Sequence, residues 1–313
     1  SELLYHITKF LNILGLIHLF KTSKIIENKL KNYRHILDDK KLKPYFCFVK
    51  YNQYIIDNIK IKHLNLSNCS HINDHMLECL LEKNKPYLYH LNIRRCNHLS
   101  SKSLFKINTC NNLTSLEITS FRERKTICNL KNLKYFSISY CSYVDEIIEN
   151  LNPELEYLKL HWCNITKHNF LLLKKFTKLH SLHIYGTTSL FYQHCIDSKD
   201  IKNVINKLKL KHITFSNGSH INDRLYNSFD NFDYIRYLNI SWSNVTNNFI
   251  KKISTAMVNL EDLNIEFCKN INNNSEIYFI NYFYNLKYLN LTGTYICFKT
   301  KANIFKYRKY LKL

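Results

Sequence analysis

One phrase of nine residues recurs through the chain and limits what it can fold into. It reads Ile61-Lys-His-Leu64-Asn-Leu66-Ser-Asn-Cys69 at its first appearance and Leu260-Glu-Asp-Leu263-Asn-Ile265-Glu-Phe-Cys268 near its last. Ten copies follow the pattern L-x-x-L-x-L-x-x-(C/T/S/G), with Leu, Ile or Phe in the apolar slots, the one from Leu113 departing only at its last slot, where Phe121 stands. They begin at Ile61, Leu88, Leu113, Leu133, Leu155, Leu179, Leu210, Ile235, Leu260 and Leu286. The steps between them are 27, 25, 20, 22, 24, 31, 25, 25 and 26 residues. The L-x-L core alternates with period two, so it is a strand with one buried face. The residues that follow carry apolar groups at helical spacing, as in Ile72, Met76, Leu77 and Leu80. A single such unit cannot bury its own apolar face, whereas a stack of ten forms a continuous core.

Self-similarity at this period predicts an α/β leucine-rich-repeat solenoid, a horseshoe with parallel strands on its concave face and helices on its convex face. The expected division is a helical segment at 1–40, a connecting or capping segment at 41–60, about ten repeats over 61–294 and a closing segment, rich in Lys and Tyr, at 295–313. Two steps are irregular. The short one, Leu113 to Leu133, leaves little room for a helix, so residues 119–129 are expected to be extended or a single turn. The long one, Leu179 to Leu210, predicts a loop at 191–199 and a helix at 200–208.

With 313 residues and 45% hydrophobic content, the chain can bury a large core. Only 4 Gly and 3 Pro occur, which argues against a flexible linker. Of the 11 cysteines none is paired as C-x-x-C, and Cys69, Cys96, Cys141, Cys163 and Cys268 share the last slot of the phrase. A slot that accepts Cys, Ser, Thr or Gly wants a small buried side chain, so these read as reduced thiols and the protein as cytoplasmic or nuclear. The longest apolar run, residues 11–20, is interrupted by Asn12 and His18 and is too short to cross a bilayer. Glu2 and Lys9 flank it and no small-residue cleavage site follows, which argues against a signal peptide. The formal charge is +21, and most lysines fall outside the strand positions. Charge alone speaks to non-specific association, so nucleic acid is not the expected partner.

The first 60 residues do not follow the phrase. Apolar residues at Leu3, Leu4, Ile7, Phe10 and Leu11 form an amphipathic helical pattern, residues 16–24 give a second short turn, and 25–37 a third with Ile26, Leu30, Tyr33 and Leu37 on one face. A helical cap of the solenoid would look like this. The stretch from Glu2-Leu-Leu-Tyr-His-Ile7 to Leu11, then Gly15-Leu-Ile-His-Leu19 to Ser23-Lys24-Ile-Ile26, also resembles an F-box, whose pattern runs roughly E-L-L-x-x-I-x-x-x-L-x-x-x-D-L-L-x-L-x-x-V-C-K-x-W. Gly15, Ser23 and Ile26 stand where that pattern has Asp, Cys and Trp, and the usual Pro ahead of the first helix is not seen. A chain opening on Ser1 rather than Met reads as one that starts inside the motif. The repeats are similar to the cysteine-containing class of the F-box and leucine-rich-repeat family: Cys69-Ser-His-Ile-Asn-Asp74-His-Met-Leu77 resembles C-x-x-I-T-D-x-x-L, and Cys110-Asn-Asn-Leu113 its lead-in to a strand.

The resemblance implies the substrate-recognition subunit of a Skp–cullin–F-box ubiquitin ligase. Leu3, Leu4, Ile7, Leu11, Leu16, Leu19 and Lys24 would dock a Skp-type adaptor, and the repeat strands would hold a protein target. The rival reading is a non-enzymatic repeat scaffold or cell-cycle regulator that recruits no ligase. Strand alternation turns the silent x positions outward, including His90, Asn92, Ser137, Ser139, Lys159, His183, Asn239, Ser241, Asp262, Asn264 and Glu266. Trp, Tyr and Arg carry most binding energy in protein interfaces. On that basis Arg94, Arg95, Tyr140, Tyr157, His161, Trp162, Tyr185, Tyr237, Trp242 and Phe267 are the candidate target contacts. Both tryptophans fall in the slot just before the small residue, where they could instead pack over the strand ends.

Cys69, His71, His75 and Cys79 lie close together but lack a recognised zinc spacing, so no metal is expected. No phosphate loop, G-x-S-x-G or H-E-x-x-H occurs, and no cofactor or catalytic role is expected. Ligase chemistry would belong to partner subunits.

Overall fold

The computed structural model describes residues 36–37, 60–120, 127–128, 130–186, 198–228, 232–308 and 310–311. The chain divides into two compact units, Ser1–Lys134 and Tyr135–Leu313. The expected adaptor contacts Leu3, Leu4, Ile7, Leu11, Leu16, Leu19 and Lys24 lie outside the described residues.

In the first unit β1 (Ile36–Leu37) pairs in parallel with β2 (Lys60–Ile61). This corrects the expectation that a helical stretch runs through Leu37. Extended pairing gives partners to backbone groups that an edge strand would leave open. Three repeat strands follow, β3 (His63–Asn65), β4 (His90–Ile93) and β5 (Ser115–Thr119), paired in parallel with Leu64 beside Leu91 and Leu91 beside Leu116. Between them lie α1 (Asp74–Asn84) and α2 (Lys102–Ile107). Helix α1 starts where Asn73 Oδ1 accepts the Met76 N–H, and it buries Leu77, Leu80 and Leu81. At its end the buried Asn84 accepts the Ile61 N–H at 2.6 Å and donates to the Leu80 carbonyl at 2.8 Å.

The second unit holds seven repeat strands in parallel register: β6 (Tyr135–Ser139), β7 (Tyr157–His161), β8 (Ser181–Tyr185), β9 (His212–Ser216), β11 (Tyr237–Asn239), β13 (Asp262–Asn264) and β14 (Tyr288–Asn290). A small parallel pair, β10 (Gly218–Asn222) with β12 (Ser243–Asn244), forms a sheet of its own. The helices are α3 (Val144–Asn150), α4 (Lys167–Leu172), α5 (Ser198–Leu208), α6 (Asn247–Ala256), α7 (Glu276–Asn281) and α8 (Phe298–Tyr307). Helix α5 fills the long step and begins two residues ahead of its expected start. It buries Ile201, Val204, Ile205 and Leu208, an i, i+3, i+4, i+7 stripe. The loop expected at 191–199 lies outside the described residues up to 197. In the short step Ile127 and Leu130 are buried without helix, while 121–126 and 129 lie outside the described residues.

The first apolar residue of every phrase is buried, from Ile61 to Leu286, as are the paired L-x-L residues such as Leu158 and Leu160. The fold is an α/β leucine-rich-repeat solenoid. Among the described residues no helix is long and apolar enough to cross a membrane.

Candidate recognition face on the repeat strands

The slot before the small residue has an unusual backbone. Asn68, Arg95, Tyr140, Trp162, Asn217, Trp242 and Phe267 all occupy it with φ between 54 and 64°, and Gly186 and Gly293 with φ of 64 and 68°. Bulky L-residues seldom adopt this left-handed region, which costs roughly 1–2 kcal/mol each. A regular hydrogen bond offsets it. The N–H of Tyr140 donates to the His161 carbonyl at 2.8 Å, Trp162 to Tyr185 at 2.8 Å, Trp242 to Glu266 at 2.8 Å and Phe267 to Thr292 at 2.7 Å. The turn thus ties each strand end to the next repeat.

Side chains in this slot also stack on one another. A Cβ at Gly186 would sit 2.6 Å from the Trp162 ring, and one at Gly293 would sit 2.5 Å from the Phe267 ring. Trp242 lies on Phe267 with centroids 4.1 Å apart. The tryptophans therefore do cover strand ends, yet Trp162 remains 41% and Trp242 51% exposed, enough to meet a partner as well.

The small slot has its own chemistry. The Cys96 thiol donates back to the Leu66 carbonyl at 3.0 Å, Cys268 to Ile240 at 3.2 Å and Cys163 to Ile138 at 3.6 Å. Burial pushes the Cys163 thiol up to about 12, so it stays protonated and serves as a donor. The cysteines described are free thiols.

The outward strand positions of the second unit form a connected surface of rings. Tyr135 stacks on Tyr157 at 4.2 Å, Tyr157 lies 4.8 Å from His183, and His183 lies 6.4 Å from Tyr185 and 6.1 Å from Tyr237. His161 joins through Tyr185 at 5.7 Å, Tyr140 at 5.7 Å and Trp162 at 6.3 Å. His212 adds a contact to Tyr237 at 6.2 Å. The Lys159 ammonium sits 5.0 Å from the Tyr185 ring centroid.

Burial, with Lys159 and His212 nearby, pulls His183 down to about 4, so it is neutral at pH 7. His183 Nδ1 lies 2.8 Å from Thr214 Oγ1. Burial, then His180 and Lys211, lowers His212 as well. Ser181 Oγ lies 2.9 Å from His180 Nδ1 and 2.8 Å from His212 Nδ1. Carboxylates enter only at Asp262 and Glu266, and burial holds the Asp262 carboxyl above its usual range.

Several outward positions are less open than strand alternation alone suggests. Parallel strands about 4.8 Å apart press neighbouring side chains together, so the smaller ones are covered. Ser137, Ser139, Asn92, Asn239 and Ser241 are buried. The asparagines also satisfy backbone donors in the turn that follows. Asn92 Oδ1 accepts the Arg94 N–H at 3.1 Å, Asn239 the Ser241 N–H at 2.9 Å and Asn264 the Glu266 N–H at 2.9 Å.

Of the ten candidate contacts, Tyr140, Tyr157, His161, Trp162, Tyr185 and Tyr237 fall in the one ring surface. Trp242 and Phe267 make a separate stacked pair. Arg94 and Arg95 belong to the first unit, where Arg94 faces Glu117 at 3.7 Å and the Arg95 N–H donates to Thr119 Oγ1 at 2.8 Å. The structure adds Tyr135 and His212, which sequence reasoning missed although both hold the same first strand position as Tyr157 and Tyr237. His75 Nε2 lies 3.9 Å from Cys79 Sγ while Cys69 is buried elsewhere. Among the described residues no group of three or more His, Cys, Asp or Glu is arranged to hold a metal.

No family model matches the chain, and no curated protein matches it significantly in sequence. Solved structures do. A chain of the yeast Rad7 and Elc1 complex aligns with a TM-score of 0.66 at 18% identity, covering 97% of this chain and 82% of that one. The internalin InlF of Listeria monocytogenes aligns with a TM-score of 0.50 at 16% identity, covering 83% and 81%. At such identities the likeness is one of fold.

Proposed function

We propose that this protein is a substrate-recognition subunit of a Skp–cullin–F-box type ubiquitin ligase, non-catalytic itself and acting in the cytoplasm or nucleus. In this reading the ring surface of the second unit holds a protein target, and residues 1–40 bind the adaptor. The observation that carries target binding is the run of touching Tyr, His and Trp side chains on the strand face, of which Tyr and Trp are residue types that dominate interface energetics. The F-box resemblance at Glu2–Ile26 supports recruitment. The likeness to a chain crystallised in the Rad7 and Elc1 complex adds an instance of this architecture engaged with a protein partner. No cofactor or metal enters the reading.

The test is a pull-down with a purified Skp-type adaptor, using the full chain and a form lacking residues 1–40. The expected result is adaptor binding lost on deletion with the repeats still folded. Absent or deletion-insensitive binding would refute recruitment and leave the second reading, a repeat scaffold that engages partners through the same rings without a ligase.

A further inference from the structure

The C-terminal end of the second unit carries a surface unlike the strand face. Helix α8 packs against α7 through the buried Thr300 and Ile304. Its outward side presents Phe298, Lys299, Ala302, Asn303, Lys306 and Tyr307, all exposed, in two i, i+4, i+8 rows, with the Asn303 amide donating to Glu276 of α7 at 2.9 Å along one edge. Phe298 is 87% and Tyr307 63% exposed. Beside the end of α8 the Arg308 guanidinium lies 5.6 Å from the ring centroid of Tyr284, itself 72% exposed, and Tyr310 is 93% exposed. After Glu276 the sequence has no Asp or Glu but holds Lys287, Lys299, Lys301, Lys306, Arg308, Lys309 and Lys312.

Burying a Phe is worth about 1.5–3 kcal/mol, so rings left this open lower no folding energy and mark a surface for something else. Like charge disfavours a second copy of the same face, and an excess of cations calls for an anion. The stripe has aromatic rings and lysines with Ala302 and Asn303 between them, and no Leu or Ile, which is a poor wedge for a lipid surface. Rings alternating with cations match stacked bases and their phosphates.

We propose that the outward face of α8, with Tyr284 and Arg308 at its end, binds single-stranded nucleic acid. Phe298, Tyr307 and Tyr284 stack on bases while Lys299 and Lys306 meet phosphates; Arg308, whose Nε donates to the Phe279 carbonyl at 3.2 Å, backs the Tyr284 ring. From Phe298 to Tyr307 the helix rises about 14 Å, the length of about four stacked nucleotides at roughly 3.4 Å each. Such binding is tolerant of base sequence. It stands on the rings as well as the charge, and it is independent of ligase recruitment.

The test uses the full chain and fluorescein-labelled oligothymidine, read by fluorescence anisotropy over a salt series. The expected log–log salt slope is about −1.4 for two phosphate contacts. A Phe298→Ala/Tyr307→Ala variant, checked for an unchanged melting curve, should bind roughly tenfold more weakly. Lys251→Ala, an exposed lysine on α6, should bind as the parent does. Four outcomes would overturn the proposal: no oligothymidine binding, ring variants that bind as tightly as the parent, an equal loss from Lys251→Ala, or tighter binding of phosphatidylserine vesicles or an oligoglutamate peptide.

Discussion

At the scale of single residues, the slot before each small residue joins two demands that a sequence pattern does not display together. The backbone there must turn left-handed, and the side chain must lie over the corresponding position of the next repeat. Glycine meets the first demand without strain; an aromatic meets the second. In the second unit an aromatic precedes each slot glycine, with Trp162 over Gly186 and Phe267 over Gly293. Gly186→Ala would meet both a φ of 64° and the Trp162 ring, and should cost about 2–4 kcal/mol in urea denaturation. In a Trp162→Ala background the clash is gone, and only the backbone cost of about 1–2 kcal/mol should remain. A cost equal in both backgrounds would show that ring and backbone do not press on each other. The aromatic character of the slot was readable in the sequence. Its left-handed turn was not, because Trp, Tyr and Phe are among the residues least expected there.

At the scale of elements, polar bonds between successive repeats govern how one unit follows another. Asp74, the first residue of α1, accepts the Ser100 N–H at 2.9 Å and the Ser100 hydroxyl at 2.6 Å, and also bonds the Ser103 hydroxyl. Asp145 accepts the Thr166 N–H at 3.1 Å, Asp223 the Thr246 N–H at 2.7 Å, and Asn273 the Cys297 N–H at 2.8 Å. This gives a physical reason for the Asp in C-x-x-I-N-D: it orients the start of the following helix. Burial pushes the Asp74 carboxyl up, but the bonds from Ser100 and Ser103 outweigh it and hold the group below its usual range. A carboxylate with a lowered folded pKa stabilises the fold above its unfolded value near 4, and loses that stabilisation as pH falls through the folded value. Asp74→Ala should therefore cost about 1–2 kcal/mol at neutral pH and progressively less as the parent is acidified below about pH 4. Melting curves of both proteins over that range check it; a gap that widens on acidification would contradict it. The strands were legible because the period-two L-x-L core is local. The cross-repeat partners of Asp74 and Asp223 were not, since they lie more than twenty residues away and leave no pattern in their own phrase. The ring surface was legible position by position, but its continuity depends on strand register.

At the scale of the whole molecule, charge is distributed unevenly. The formal net charge is +21, from 45 Lys and Arg against 24 Asp and Glu. Yet the three outward positions of each repeat strand in the second unit hold only Lys159, Asp262 and Glu266 as formal charges. Among the described residues of the second unit most cations lie outside those strand positions, so this strand face is suited to neutral contacts while the excess cations elsewhere repel one another. Salt acts on two opposed effects. It weakens exposed pairs such as Lys106 with Glu78 at 2.7 Å and Lys287 with Glu261 at 2.5 Å, which water already screens. It also screens the mutual repulsion of the excess cations, with a Debye length of about 10 Å at 0.1 M. With 45 basic groups against 24 acidic ones, an excess of 21 cations remains however the pairs are drawn, and repulsion outweighs the attraction of the pairs. Raising sodium chloride from about 0.01 M to about 0.3 M should therefore raise Tm by a few degrees. A fall in Tm would mean that the ion pairs between helices outweigh the self-repulsion, and that the excess cations are spaced widely enough to ignore one another.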